Sequence, residues 1–515
     1  MFTRFKKGYY YPWGNSIERI RFLPHRSISM RQKNKTAQQS PAVKNPEGTP
    51  PSKFPAVLFQ YINRYDIIIL FVLLYLAYNT IDGVGLMSGD TAPASLIPIA
   101  LLTNHNVFLD FATAYISNPN YAYAFPFVNG HYVSLFPIVT PVLVTPVYAI
   151  SLFLSSFISN PYGEVSFFYL SKSAASCIAA LAGVLVYCSA KELFSKRIAL
   201  LTTFIFAFAT STWSIGSQAL WQHGTVELLL AALIYLIIKN EKQESVAYIL
   251  LMGILSGLFV FNRPPDSLLL LPVLFYIVWT QRNRIHYYLI GGILAGLPFL
   301  YYNYTTFGNV FGGYVENLSL FAVNGSFIGH YVALLFSPNV GLFIFCPVLL
   351  LALAGFYVIY TSRDSRIRTL LLVAGLAVLL EILLYSFFIP WSSSAAFCFG
   401  TRFLTCLIPI LCLYTGYFLE DWFGTGAAKH QGPERGIVIA IVCILVISSV
   451  CIQFTGVFFY GYSSDANLTM SDERAWDMTD SLIVRSFTEG STRIPGVSVF
   501  ILPPLSPVFA YNFPE

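Results

Sequence analysis

The sequence is poor in charge for its length. Charged residues make up 11% of its 515 residues, whereas a soluble domain carries about 25%. So few charges cannot cover a water-soluble surface of this size, and 56% of the residues are hydrophobic. The composition therefore predicts an integral membrane protein. The aromatic content of 17% is typical of belts of Tyr and Trp at the two lipid–water interfaces.

Several kinds of site are also missing. The eight cysteines show no CxxC or Cys/His metal spacing, so we expect neither a disulfide framework nor a zinc site. No G-x-S-x-G segment marks the nucleophile of a hydrolase. We expect no cofactor. A divalent metal would be compatible with the chemistry considered below, but no pair of acids with ligand spacing indicates one.

Positive charge is concentrated at the beginning of the chain. Between Met1 and Gln60, 11 Lys and Arg residues stand against two acids, Glu18 and Glu47. This segment can be an arm that binds nucleic acid or lipid, or a disordered cytoplasmic tail whose charge fixes the orientation. We favour the tail and expect no nucleic-acid partner. The predicted organisation is a basic tail (1–60), a transmembrane domain (61–460) and an outer-face C-terminal tail (461–515).

Long apolar runs predict an all-α polytopic fold in the plasma membrane. A helix needs about 20 apolar residues to cross the bilayer, and we accept eleven runs as spans. A further apolar run, Tyr132 to Ile158, contains three prolines. The eleven runs begin near Tyr65, Val165, Ile198, Gln222, Ser245, Asp266, Ile285, Tyr331, Ile367, Phe403 and Gly436.

The basic loops decide the topology, because Lys and Arg favour the cytoplasmic side. With the N-terminus inside, all the short basic loops fall inside only if the proline-rich run does not cross. We therefore interpret that run as a re-entrant or interfacial element in a first outer loop of residues 86–164, where prolines are tolerated. Eleven spans then place the C-terminus outside. The long segments lie on the outer face, where we expect the functional site.

Asp90 is the candidate catalytic residue. It lies just past the first span, in a stretch from Met87 to Tyr132 without Lys or Arg. An acid without a local basic partner can act as a general base. It can equally be a helix N-cap, since Asp favours that position.

Three outer cations, Lys172, Arg263 and Arg402, lie near predicted span ends. A bare ammonium or guanidinium in an apolar run is costly and calls for an anionic partner. Each could instead extend its charged end to the lipid headgroups. If the three face one cavity, they would suit a lipid phosphate.

A second group of polar residues is the candidate substrate site. Gln218, Trp221, Gln222 and His223 lie at the outer junction of two predicted spans, where aromatic anchoring explains the tryptophan but not its polar neighbours. His131 follows Asn129-Gly130 at the entry to the proline-rich run and can bind sugar or phosphate, or simply the backbone.

The chain carries an ordered series of short motifs. The motifs are Ser88-Gly89-Asp90-Thr91, Gly130-His131, Ser217 to Gly224, Tyr302-Asn303, Ser337-Pro338, Gly400-x-Arg402-Phe403-Leu404 and Trp476-Asp477. Together they resemble bacterial and archaeal membrane proteins of the GT-C glycosyltransferase superfamily, which also includes protein mannosyltransferases and the aminoarabinose transferase of lipid A.

The resemblance implies a multi-span fold with interfacial helices in a large first outer loop. It also implies transfer of a hexose or pentose from a polyprenyl-phosphate donor to a glycan, lipid or protein, with inversion and with Asp90 as general base. Two departures bear on this. Ser95 stands where many relatives carry Arg. Gly89 precedes Asp90, so the paired acid of protein mannosyltransferases is absent, which makes a protein acceptor less expected.

Two alternatives compete with the transferase. A transporter or flippase of lipid-linked saccharides needs an anion-binding cavity that opens to both faces. A ligase of lipid-linked glycans needs similar residues and differs in the length of its donor.

Overall fold

The computed structural model describes residues 54–81, 88–155, 167–323, 325–363, 365–395, 398–460, 472–490 and 498–499. Most of the predicted basic tail and much of the C-terminal tail lie outside these residues, so the predicted domain boundaries stay predictions. The longer helices are Phe54–Tyr78, Ala92–Thr103, Val139–Ser155, Phe167–Leu193, Lys196–Phe208, Gln222–Lys242, Val246–Asn262, Leu271–Thr280, Ile285–Phe307, Phe327–Phe336, Leu351–Thr361, Arg366–Ser386, Ile408–Phe423 and Glu434–Phe458.

Short helices and turns connect them. They are Thr113–Ile116, Pro119–Ala122, Thr212–Gly216, Pro264–Leu270, Arg282–Arg284, Gly312–Tyr314, Val315–Leu318, Leu342–Phe345, Pro347–Leu350, Trp391–Ala395, Arg402–Leu407, Thr425–Lys429, Asp472–Ala475 and Leu482–Gly490. Two small antiparallel pairs complete the described elements: Thr80–Ile81 with Ser498–Val499, and Phe127–Val128 with His131–Tyr132.

The helical multi-pass architecture predicted from the sequence is confirmed. Within the described residues, six helices are long and apolar enough to cross a membrane, and further apolar helices are shorter. The number eleven stays a prediction. The run beginning near Tyr331 is interrupted after Phe336 and forms a second apolar helix only from Leu351 onwards, because Pro338 and Pro347 cannot supply the backbone donors of a continuous helix.

Glycines let two neighbouring helices touch. Helices Val246–Asn262 and Ile285–Phe307 pack so closely that a Cβ atom on Gly253 would lie 2.0 Å from the carbonyl oxygen of Tyr288. A Cβ atom on Gly291 would lie 2.3 Å from the carbonyl oxygen of Leu250. Small residues at helix contacts are typical of membrane proteins, where packing rather than hydrophobicity joins the helices.

Ion pairs cluster at the ends of the helices that the sequence assigns to the inner face. These ends hold the basic loops, and their charges are neutralised by neighbouring acids at distances of 2.6–3.1 Å. The opposite ends hold the residues described below. The pairs are Lys191 with Asp66, Lys242 with Glu192, and Arg284 with Glu244.

The described part of the predicted first outer loop packs against the helices. Asn129 and Gly130 both adopt positive φ, as the favoured two-residue hairpin turn requires. The proline-rich run forms helix Val139–Ser155, and the Thr140 hydroxyl lies 2.8 Å from the Thr225 hydroxyl and 2.7 Å from the Asn262 amide oxygen. The position of this helix in the membrane stays a prediction.

Candidate active site

Asp90 lies in a tight turn that leads into helix Ala92–Thr103. The amide N–H groups of Thr91 and Ala92 both donate to the Ser88 carbonyl, and Thr91 occupies the N-cap position. The Asp90 carboxylate therefore does not cap the helix. Its Oδ1 accepts a hydrogen bond from the Tyr123 hydroxyl at 3.0 Å.

Gly89 explains how Tyr123 approaches the acid. A Cβ atom at position 89 would lie 2.3 Å from the Tyr123 hydroxyl oxygen, so any side chain there would displace the ring. The glycine at position 89 thus makes room for the phenol beside Asp90.

Arg402 is the charged partner of Asp90. Its Nη2 lies 3.2 Å from Asp90 Oδ2, with 9% of the arginine side chain and 26% of the aspartate side chain exposed. The guanidinium also lies 4.7 Å from the ring centroid of Trp221 and 5.3 Å from that of Phe403. An arginine on aromatic faces is held in orientation by cation–π attraction. Asp90 thus lies beside a cation whose orientation is fixed by its aromatic neighbours.

Arg263 lies at the same cavity and is 5% exposed. Its Nε donates to Asp266 Oδ1 at 2.9 Å, one terminal nitrogen donates to the Tyr314 hydroxyl at 3.2 Å, and the other to the Tyr385 hydroxyl at 2.7 Å. A guanidinium has five N–H groups. The three hydrogen bonds use three of these groups, so two N–H groups donate to none of the described residues.

His223 is a buried polar side chain at the cavity wall. It is 3% exposed, and neither ring nitrogen has a hydrogen-bond partner among the described residues. Its ring stacks on Phe403 with centroids 6.1 Å apart and meets Trp221 edge-on at 6.3 Å. A buried polar group without a partner calls for an explanation, and a ligand hydroxyl would supply both a donor and an acceptor.

The cavity has a volume of about 190 Å³. Its polar groups converge from the turn at Asp90 and from the helix ends opposite the basic loops, while aromatic and aliphatic side chains form the rest of the wall. It therefore brings together six of the predicted site residues: Asp90, Trp221, Gln222, His223, Arg263 and Arg402. The other lining residues include Tyr123, Leu135, Phe136, Tyr314, Asn317, Leu320, Phe321, Tyr385, Phe388, Pro390, Ser393 and Phe403.

Lys172 and Gln218 do not line this cavity. Lys172 is 2% exposed, and its Nζ donates to the carbonyl of Ser217 at 2.7 Å and to Gln218 Oε1 at 2.9 Å. Gln218 Nε2 donates to the carbonyl of Trp213 at 2.8 Å. These bonds fix the turn that leads to Trp221, so the structure gives both residues a supporting position behind the wall.

His131 also lies apart from the cavity, in the exposed hairpin. Its Nδ1 lies 2.7 Å from Asp110 Oδ2, and its ring stacks on Phe108 with centroids 3.9 Å apart. The amide N–H of Tyr132 donates to Asp110 Oδ1 at 2.8 Å. That bond, together with His131, holds the pKa of the Asp110 carboxyl below its ordinary value.

Sequence reasoning missed the tyrosines and the buried acids around Arg263. Among the described residues, Asp266, Glu381 and Cys406 could each offer a ligand atom to a metal, all within 4.8 Å of one another. Glu381 stands alone in an apolar run, and an acid in a predicted span is a signal of function in itself. Tyr123, Tyr314 and Tyr385 carried no such signal, since aromatic residues are frequent throughout the chain.

Residues 171–295 match the family of dolichyl-phosphate-mannose-protein mannosyltransferases. The chain resembles GT-C glycosyltransferases. The resemblance predicted from the motifs is thereby confirmed, and the matched segment, about a quarter of the chain, contains Trp221, His223 and Arg263. No curated protein matches the chain.

Two solved structures are similar to the chain at low identity. ArnT from Cupriavidus metallidurans bound to undecaprenyl phosphate is 13% identical, with a TM-score of 0.43, over 85% of this chain and 77% of that one. The Archaeoglobus fulgidus oligosaccharyltransferase in complex with Zn and sulfate is 13% identical, with a TM-score of 0.49, over 77% of this chain and 53% of that one.

Proposed function

We propose that this multi-pass membrane protein transfers a sugar from a polyprenyl-phosphate donor to an acceptor hydroxyl at the outer face of the plasma membrane. The observation that carries the proposal is the convergence of one acid and two arginines, Asp90, Arg263 and Arg402, in a single cavity. The cavity lies at the helix ends opposite the basic loops, which the charge distribution assigns to the outside.

Asp90 has the chemistry of a general base. Its carboxylate takes the proton of the acceptor hydroxyl while the hydroxyl oxygen bonds to the anomeric carbon and the bond from that carbon to the donor phosphate oxygen breaks. This single displacement inverts the anomeric configuration. Tyr123 orients the carboxylate through Oδ1, which leaves Oδ2 as the oxygen that faces Arg402.

The two arginines are suited to the phosphate. Arg263 and Arg402 are buried or nearly so, and a guanidinium binds phosphate through a fork of two N–H groups. Charge that develops on the departing polyprenyl phosphate is stabilised most strongly where water is excluded. Because Arg402 also pairs with Asp90, a bound phosphate would compete for Arg402 and release Asp90 Oδ2 toward the acceptor hydroxyl.

His223 and Gln222 are then positioned for the sugar. A neutral imidazole offers one donor and one acceptor, which matches a hydroxyl group. The rings of Trp221 and Phe403, which both contact His223, supply an apolar surface beside it. The modest cavity volume favours a single sugar unit over the long glycan that a ligase would accept.

A transporter is supported less well than a transferase. A second cavity, of about 30 Å³, lies toward the basic ends of the helices and is lined by apolar side chains such as Leu230, Ile234 and Leu370. It offers no polar group to a saccharide on its way to the inner face.

The test uses the full chain in proteoliposomes with a panel of polyprenyl-phosphate hexoses and pentoses, and it measures release of polyprenyl phosphate. Asp90→Asn should lose turnover with every donor that the wild type uses. Asp110→Asn is the matched control, because it changes another outer-loop acid that does not line the cavity. Turnover by Asp90→Asn at the wild-type rate would remove Asp90 from the mechanism.

A further inference from the structure

Two acidic side chains lie behind Arg263 and are both fully buried, Asp266 and Glu381. Asp266 follows the Pro264-Pro265 turn, while Glu381 projects from the apolar helix Arg366–Ser386. Acids within apolar segments are expensive to keep and usually serve a function. The mechanism proposed above does not use either of them.

The carboxylate oxygens of the two acids differ in the hydrogen bonds that they accept. Asp266 Oδ1 accepts from Arg263 Nε at 2.9 Å and from the Tyr385 hydroxyl at 2.5 Å. No donor among the described residues reaches Asp266 Oδ2 or either oxygen of Glu381. Carboxylate oxygens of Asp266 and Glu381 lie within 4.8 Å of each other. Two facing carboxylates would repel each other, whereas one shared proton supplies the missing donor.

A metal ion is a poorer explanation than a proton. The third group near the acids, Cys406, donates its S–H to the carbonyl of Phe403 at 3.4 Å, so it is a thiol rather than a thiolate ligand. The Arg263 guanidinium, 2.9 Å from Asp266, already supplies a positive charge and would repel a divalent cation. With one shared proton, Arg263 and the two acids form a neutral set.

We propose that Asp266 and Glu381 share one proton and, with Tyr385, act as positioning residues that hold Arg263 for the donor phosphate; this rests on the proposed function. Three inward hydrogen bonds fix the guanidinium plane and leave two N–H groups for a phosphate. If both acids were ionised, the set would carry a net negative charge beside the cavity and would oppose a phosphate. The shared proton removes that charge.

The test measures binding of undecaprenyl phosphate, with undecaprenol as the uncharged comparison, to the purified full chain in nanodiscs. Glu381→Gln should bind the phosphate lipid within about threefold of wild type, because the glutamine amide replaces the shared proton as the donor to Asp266. Asp266→Asn should lose about tenfold or more, the loss expected for a charge-assisted hydrogen bond. Undecaprenol binding should not change in either variant.

Tyr385→Phe is the second variant, for the case that Asp266→Asn does not fold. It removes only a hydroxyl that contacts both Arg263 and Asp266, and we expect binding of the phosphate lipid to weaken at least about threefold. Tyr276→Phe is the matched control, because it removes another buried hydroxyl, bonded to Asn240 at 2.8 Å and remote from the cavity. It should leave phosphate binding unchanged.

An infrared difference spectrum tests the proton directly. The wild type should show a protonated carboxyl band that Glu381→Gln lacks. Tighter phosphate binding by Glu381→Gln, the absence of that band, or one equivalent of bound zinc lost in Glu381→Gln would each overturn the shared proton. Wild-type binding by both Asp266→Asn and Tyr385→Phe would overturn the positioning role.

Failure of the proposed function gives a different pattern. If the wild type shows no preference for the phosphate lipid over the alcohol, the donor itself is wrong. If the wild type shows that preference and Arg402→Gln loses it, while the variants of Asp266 and Tyr385 keep it, only the positioning role fails.

Discussion

Replacing Arg402 by Gln removes the cation that pairs with Asp90 and, on the proposed mechanism, binds the donor phosphate. One charge-assisted hydrogen bond contributes about 1.5–3 kcal/mol, and each 1.4 kcal/mol is about tenfold. We therefore expect kcat/KM for the donor to fall about 10- to 150-fold. Arg402→Lys should be intermediate, because it keeps the charge but loses the fork and the stacking on Trp221.

The fold should survive this substitution. Asp90 is 26% exposed, so water can solvate its carboxylate once the pair is broken, and a partly exposed pair contributes about 1 kcal/mol or less to stability. The assay is donor-dependent turnover in proteoliposomes, with thermal unfolding measured on the same samples. Arg485→Gln is the control, since Arg485 pairs with Asp480 away from the cavity. A kcat/KM within about threefold of wild type would refute the phosphate role of Arg402.

Three further outcomes follow from the fold and the outer loop. Gly253→Ala should destabilise the protein by about 1–3 kcal/mol through overpacking, whereas Gly436→Ala, which has open space around its Cβ position, should have little effect in the same thermal unfolding assay. In a cysteine-free background, Ser117→Cys should react with an impermeant outer reagent and Lys196→Cys should be protected; the reverse pattern would overturn the topology. The ionised Asp110 carboxylate stabilises the hairpin, and because its pKa is lowered in the fold, this contribution is lost as the pH falls below about 4. The protection of the hairpin amides against hydrogen exchange should therefore fall at acidic pH in the wild type but not in Asp110→Asn.

The fold class could be predicted from the sequence because a chain in lipid must form all its backbone hydrogen bonds internally. Apolar runs without charge become helices that satisfy their own backbone, and the runs near Gln222 and Ile367 became helices beginning at Gln222 and Arg366. The run near Tyr331 was harder, since its prolines divide it by local backbone chemistry that hydrophobicity does not reveal.

The candidate site was only partly accessible to sequence reasoning. Arginines and acids near span ends stand out, because each is costly in an apolar context, and Asp90, Arg263 and Arg402 indeed lie at one cavity. Which cation faces the cavity depends on helix rotation, which the weak polar pattern does not fix. Lys172 consequently lies against the carbonyl of Ser217.

The neighbours of the cations depended on tertiary contacts. Tyr123 meets Asp90 across 33 positions of the chain, and Tyr385 meets Arg263 across 122. No local pattern of residues announces such pairs. They follow only once the first outer loop and helix Arg366–Ser386 are placed around the same cavity.

The most direct measurement of the central claim is a single-turnover experiment on Asp90→Asn in which donor binding and sugar transfer are followed in the same sample. General-base catalysis contributes about 10²- to 10⁴-fold. We predict that the rate of transfer falls at least about 100-fold while the donor stays bound, because Arg263 and Arg402 rather than Asp90 hold the phosphate. Transfer at the wild-type rate from a saturated donor complex would contradict it.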